Sequence, residues 1–389
     1  MEERLEPVRR RAARDASLAL APLFAANALH GLATAEAIRA IRRGALGPEV
    51  SLVEWGEPLP GEQMDDVVRE IGLAPSLTVP RAFSGRGVTV AVLDSGIDAR
   101  HPFLAVRESV STCPEPCGRP GRHGTHCAGA IASRSAERPG VAPDVRLLDV
   151  KVALADGMTS PGWLAQGIDE ALDRGADVLS ISFGLNRFPV TSYGGHGWVC
   201  VDGRCILCRA VDHATACGAV VVAAAGNGHL RAQALLDAGE ELSAGTELLC
   251  PGQARSAVTV GAFEKEPVAR LYPRSSRGPA GHGSPKPDLV APGVDVTSTI
   301  PVPAGEVEPN PFDLFGLGSG TSVATAVVAG AVALLIERRR SAALPWSPAE
   351  IREELLGRCV RPLNACLDDL PGAVGAGVLD LSRLAGEKR

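Results

Sequence analysis

The chain has 389 residues, 45% hydrophobic and 22% charged, with 44 glycines and 30 prolines, which suits a globular protein with many turns and one large core beside a smaller segment. Lys and Arg total 39 against 45 Asp and Glu, a formal net charge of −6 mixed along the chain; without a long basic block, nucleic acid is not an expected partner. The longest apolar run, 323–336, is interrupted by Thr and Gly and ends in Glu-Arg-Arg-Arg, short of the ~20 residues that span a bilayer, so a buried helix is predicted and no membrane contact.

In chain order, the N-terminus stays charged through Arg14, and the apolar stretch 18–29 has no clear cleavage site, so no secretory leader is expected and the cytoplasm is the predicted location. Ten cysteines argue the other way, for secretion. Residues 1–80 read as a small α+β module with helices over 9–20 and 34–43, an apolar run over 25–32 and a strand over 50–55. Linker signals at 58–61 and 75–80 lead into a main domain over 81–389.

From residue 82 onward, short β-branched runs alternate with helix-length segments, the pattern of a parallel sheet covered on both faces. Strands are predicted over 88–94, 145–152, 177–183, 219–225 and 257–262, and helices over 126–133, 163–174, 208–217 and 321–339. Surface loops are predicted over 275–287 and 301–320.

The cysteines fall in local groups: Cys113 and Cys117; Cys200, Cys205 and Cys208; Cys359 and Cys366. Disulfides, free buried thiols and zinc all remain open, although a ribbon-type zinc site needs two C-x-x-C units and only Cys205/Cys208 supplies one. No metal ligand is assigned.

Four residues carry the chemistry. Asp94 closes the apolar strand Val90-Ala-Val-Leu-Asp-Ser-Gly-Ile97, at the carboxyl end where α/β sheets bind ligands; its plainer reading is a cap. His123, in Gly121-Arg-His-Gly-Thr-His-Cys-Ala-Gly129, has the natural pKa of a proton shuttle, with His126 a competitor or a hydrogen-bonded core histidine. Ser322 lies in Gly318-Ser-Gly-Thr-Ser-Val-Ala-Thr325, where a helix N-terminus can support a developing negative charge, or where serine simply caps. Asn227, in Val222-Ala-Ala-Ala-Gly-Asn-Gly228, is either an oxyanion donor or part of an Asn-Gly turn.

D-S-G-I, H-G-T-H-C-A-G, A-A-G-N and G-T-S-x-A, in this order, resemble the subtilase family, and the likeness extends over 82–384. Leu179-Ser-Ile-Ser-Phe-Gly184, Lys286-Pro-Asp-Leu-Val-Ala-Pro-Gly293 and Gly375-Ala-Gly-Val-Leu-Asp380 add to it. The resemblance implies a three-layer α/β fold with a mostly parallel central sheet, and a serine endopeptidase without organic cofactor acting on protein or peptide substrates. It implies Ser322 as nucleophile, His123 as base and then acid, Asp94 as the orienting carboxylate, and Asn227 with the Ser322 N–H as oxyanion hole. Ser182, Phe183 and Gly184 would pair with substrate backbone, and Cys127 is similar to the buried thiol of the proteinase K-like branch.

The family usually has Met, Pro and His where this chain has Val323, Ala326 and Val327, and the loop 187–208 is long. Relatives often carry structural calcium, but no acidic cluster here marks a site for it. Residues 27–34 and 50–54 are similar to a subtilase pro-region, implying a folding chaperone and inhibitor released by self-cleavage within 56–83, with a permanent subdomain as the alternative. Two rival functions remain: a maturation protease for one precursor peptide, and a non-catalytic peptide binder.

Overall fold

The structure, a computed structural model, describes residues 18–23, 28–33, 62–73, 82–185, 200, 202–238, 247–265, 270–305, 310–360 and 372–385. The chain divides into two compact units, Met1–Pro60 and Gly61–Arg389. In the first, β1 (Leu18–Leu23) pairs antiparallel with β2 (Ala28–Ala33), Leu18 opposite Ala33. The helix predicted over 9–20 is therefore a strand at its last three residues: Leu-Ala-Leu-Ala alternates with period two, and Pro22 discourages helix propagation. The helix predicted over 34–43 and the strand over 50–55 lie outside the described residues.

The boundary at Pro60 precedes the one expected at residue 80. In the larger unit, β3 (Glu62–Gln63) runs parallel to β12 (Val296–Thr299), and the helix α1 (Met64–Glu70) delivers Val67, Val68 and, just beyond it, Ile71 to the main core.

The main sheet is built on β4 (Thr89–Asp94), which pairs in parallel with β6 (Arg146–Lys151) on one side and β7 (Val178–Ile181) on the other. Beyond β6 lies β5 (Val106–Ser111); beyond β7 come β8 (Val220–Ala224), β9 (Val258–Glu264), β11 (Leu289–Pro292) and β15 (Val378–Leu379), all parallel. Among the described residues of this sheet, only the short β10 (Arg270–Leu271) on β9 and β14 (Cys359–Val360) on β15 are antiparallel. The chain leaves β4 toward β6 and returns past it to β7, so the carboxyl end of β4 is a topological switch point, where such sheets open a crevice.

Strand residues alternate between two cores. Val90 and Val92 of β4 face a layer containing α2 (Arg122–Ala132) and α6 (Thr321–Ser341). Ala91 and Leu93 face α3 (Pro161–Asp173) and α4 (Ile206–Ala216). This is the three-layer, mostly parallel α/β architecture expected. Helix α6 is long and apolar enough to cross a membrane, but 89% of its apolar window is buried within the fold. Being apolar around its whole circumference, it is the central helix under the sheet.

The helices α1, α5 (His229–Asp237), α7 (Pro348–Leu356) and α8 (Ser382–Ala385) are not among those the sequence predicts. A further correction concerns 301–320, read as a surface loop: it contains a 3-10 turn, Pro311–Leu314, and β13 (Phe315–Gly318), antiparallel to β12. Glycine depresses strand propensity, but here Gly318 is needed because a Cβ would lie 2.6 Å from the His126 ring of α2.

Gly330 shows the tightness of the α6 layer, since a Cβ there would stand 2.6 Å from Val141 Cβ. Alanine should gain about 1 kcal/mol in helix propensity, yet overpacking costs about 1–3 kcal/mol. Gly330→Ala is expected to lower the urea midpoint; an unchanged or higher midpoint would show that the contact yields freely.

Candidate active site

The site begins at the turn after β4. Asp94 is fully buried, and its Oδ1 accepts from the Ser95 N–H at 2.7 Å and the Ser95 hydroxyl at 3.0 Å. Gly96, at φ 96°, turns the chain away from the sheet. Lys151, buried at the end of β6, donates to Ser95 O at 2.5 Å and pairs with Glu115 at 3.2 Å, so the turn is fixed from behind.

Helix α2 docks its first turn on this bend. Gly121 N–H donates to Ser95 O at 3.0 Å, and Gly124 N–H to Ser95 Oγ at 3.1 Å. A Cβ on Gly121 would lie 2.0 Å from Ser95 Oγ, and one on Gly124 2.6 Å from Gly96 O, so the glycines bracketing His123 permit the close approach of helix to turn. His123 Nδ1–H thereby reaches both Asp94 oxygens, at 2.8 and 2.9 Å. The His123 side chain is 44% exposed, and its ring meets Phe183 edge-on, centroids 5.3 Å apart. Burial opposes its protonation, but the charge of Asp94 and the shared hydrogen bond outweigh that, raising the His123 pKa above its ordinary 6.5.

His126, the competitor, is only 4% exposed, and its Nε2–H donates to Val296 O at 3.0 Å and Gly316 O at 3.1 Å. Burial lowers its pKa to about 4. It is a neutral structural pin between α2 and the β12–β13 hairpin.

Ser322 is the second residue of α6, where the N–H groups of the first turn have no intrahelical acceptor. Gly320 precedes the helix at φ 141°. Thr321 N–H donates to Asn227 Oδ1 at 3.0 Å, and Gly226 N–H to Thr321 Oγ1 at 3.1 Å, tying the end of β8 to the head of α6. With its oxygen engaged, Asn227 keeps the Nδ2 amide as a donor on an exposed side chain.

The Ser322 hydroxyl donates to Ser182 O at 3.1 Å, and Ser182 Oγ returns a bond to Ser322 O at 3.0 Å. Among the described residues, no hydrogen bond joins Ser322 to His123. The expected residues thus gather as an Asp94–His123 pair and a Ser322–Ser182 pair, with Phe183 against the imidazole and Asn227 at the α6 head. Cys127 Sγ lies 3.9 Å from Ser322 O; burial and the nearby Asp94 charge raise its pKa well above the ordinary thiol range, so it stays a neutral thiol.

Sequence reasoning assigned no roles to Ser95 and Thr321, although both stand inside the quoted motifs. The nine described cysteines form no disulfide; Cys366 lies outside the described residues. Four of them, Cys200, Cys205, Cys208 and Cys250, make a separate sulfur cluster in which any shared ion would have to be thiolate-bound.

A family model described as the Subtilase family matches residues 85–364. The chain belongs to the subtilase family. It is 34% identical to Subtilisin E of Bacillus subtilis (strain 168) over 288 residues, 72% of this chain and 62% of that protein. Subtilisin of Bacillus pumilus is 34% identical over 288 residues, 72% of this chain and 86% of that one. Serine protease AprX of Bacillus subtilis (strain 168) is 30% identical over 331 residues, 77% of this chain and 66% of its own. The chain therefore spans less than two thirds of the length of Subtilisin E.

The two histidines of this subtilase have opposite linkage to pH. His123, with a raised folded pKa, contributes stability below 6.5 that is lost as pH rises through its folded value. His126, lowered to about 4, contributes stability above 6.5 that is lost as pH falls from 6.5 toward 4. Its loss at pH 4.5 amounts to about 2–3 kcal/mol. His126→Gln should therefore show a smaller drop in unfolding free energy between pH 7.5 and 4.5 than the parent; equal drops in chemical denaturation would remove His126 from this role.

Proposed function

We propose that this chain is a serine-type endopeptidase that cleaves protein or peptide substrates through an acyl-enzyme, with Asp94, His123 and Ser322 as its triad. The bidentate reach of His123 to the buried Asp94, beside a hydroxyl at the head of α6, is the observation that supports this most strongly.

Asp94 holds Nδ1 protonated, which leaves Nε2 as the basic nitrogen. The reaction requires the Ser322 hydroxyl to leave Ser182 O and engage that nitrogen. Ser322 Oγ then attacks the scissile carbonyl carbon as its proton passes to His123 Nε2. The oxyanion takes hydrogen bonds from the Ser322 N–H and Asn227 Nδ2, aided by the positive end of the 21-residue α6. The imidazolium returns its proton to the leaving amine, and water repeats the sequence to release the acid. Ser182, Phe183 and Gly184 offer main-chain groups to an extended substrate, a contact that depends little on side chains.

The first compact unit is read as a pro-segment. Val67, Val68 and Ile71 are buried in the core of the larger unit, so a cut close to Pro60 preserves that core, whereas removal of residues 62–73 opens it. This supports self-cleavage at the early end of 56–83.

A serine-directed fluorophosphonate should label the protein at one site and fail to label Ser322→Ala; equal labelling would remove Ser322 from its role. Asn227→Ala should lower kcat by about 10²–10³, the cost of losing one oxyanion donor in subtilisin, with KM little changed. Unchanged kcat would exclude Asn227 as an oxyanion donor.

A further inference from the structure

The cysteines at 200, 205 and 208 are joined in space by Cys250, which shares no local motif with them and follows the rest of α4, β8 and α5. All four sulfurs lie within 4.8 Å of one another. Cys200 and Cys208 are 3.7 Å apart, Cys205 and Cys250 3.1 Å, and Cys208 and Cys250 3.2 Å.

These separations distinguish two chemistries. A disulfide holds its sulfurs at about 2.05 Å. Four thiolates around one zinc ion, each at about 2.3 Å, sit about 3.8 Å apart along the edges of a tetrahedron. The Cys200–Cys208 separation matches the tetrahedral edge, and the two shorter separations, 3.1 and 3.2 Å, lie nearer to that edge than to a disulfide bond. Each sulfur also has several sulfur neighbours at once, whereas disulfide pairing would draw each toward a single partner.

We propose that Cys200, Cys205, Cys208 and Cys250 bind one zinc ion as a closed, structural tetrathiolate site. The surroundings suit thiolates held by a cation. Cys200, Cys208 and Cys250 are no more than 1% exposed, within an apolar layer that includes Leu207, Val211, Ala254 and Ala257. Among the described residues, four thiols packed there without an ion would have, apart from the Cys208 N–H, one another as weak partners. Cys205 is the N-cap of the 11-residue α4, and its sulfur accepts from the Cys208 N–H at 3.5 Å, the backbone support typical of a bound thiolate. Metal uptake displaces the thiol protons to solvent and changes no oxidation state.

Four protein ligands leave no open position for water or substrate, so the ion would stabilise without taking part in the chemistry. Its effect is positional. Cys250 and Leu185 exchange backbone hydrogen bonds, at 2.9 and 3.0 Å, and Leu185 directly follows the Ser182–Gly184 segment. Leu249 N–H donates to Ala225 O at 2.8 Å, two residues before Asn227. The ion would therefore pin α4 to the loop that supports both.

The test is metal analysis of the full chain, expressed with zinc and dialysed free of loose metal. About one zinc per chain is expected, retained in Cys217→Ser and lost in Cys205→Ser/Cys250→Ser. Because the double variant can fail to fold, the parent is also titrated with an organomercurial, which should release zinc in step with four thiols. Zinc absent from the parent, two disulfides mapped among these cysteines, iron at one equivalent, or zinc retained by the double variant would each overturn the proposal.

Discussion

The short bend after β4 is the constraint on which the rest of the site depends. Asp94 is buried there as an acceptor for Ser95 and His123, and this arrangement requires that the first turn of α2 press against the backbone of Ser95 and Gly96. Two glycines without side chains allow that approach, and the buried Lys151 secures the bend from the neighbouring strand. A carboxylate so enclosed would be costly if left unpaired, which makes the imidazole both its partner and its beneficiary.

The second half of the site arrives from the opposite direction in sequence. Helix α6 threads under the sheet with nearly every residue from Thr321 to Glu337 buried, so its start cannot shift without disturbing the core. Thr321 latches that start to the end of β8 through Asn227 and Gly226, and Ser322 rests on Ser182 beyond β7. The serine and the amide are thus positioned by packing and backbone bonds remote from any substrate, the kind of preorganisation that electrostatic catalysis needs. Substitution of Val323, Ala326 and Val327 for the family's usual Met, Pro and His leaves this helix intact, with all three side chains buried.

Much of this was legible in the sequence because the decisive features are local. The strands ending at Asp94 and near Asn227 are unbroken apolar runs, and α6 declares itself by composition. The edges were not legible: β5 is half-exposed and polar, and β13 is masked by alternating glycines. The capping signal Ser347-Pro-Ala-Glu350 marks the start of α7, where Ser347 Oγ accepts from the Glu350 N–H, but the short segment behind it carries little apolar periodicity. Residue chemistry alone left His126 as a competitor on the same helix, and the motif resemblance singled out His123; the coordinates add that His123 meets Asp94 while His126 is held by backbone carbonyls. The sulfur cluster was invisible for a different reason: Cys250 shares no spacing with Cys200, Cys205 and Cys208, and only the fold brings it to them.

The central claim is that the Asp94 carboxylate holds the His123 ring and makes it more basic. An NMR titration of the His123 imidazole, assigned by its loss in His123→Gln, tests this directly when run on the parent and on Asp94→Asn. The account predicts a parent midpoint above 6.5 that falls in Asp94→Asn, where the opposite charge is gone and burial remains. A parent midpoint at or below 6.5, or one that Asp94→Asn leaves in place, would contradict it.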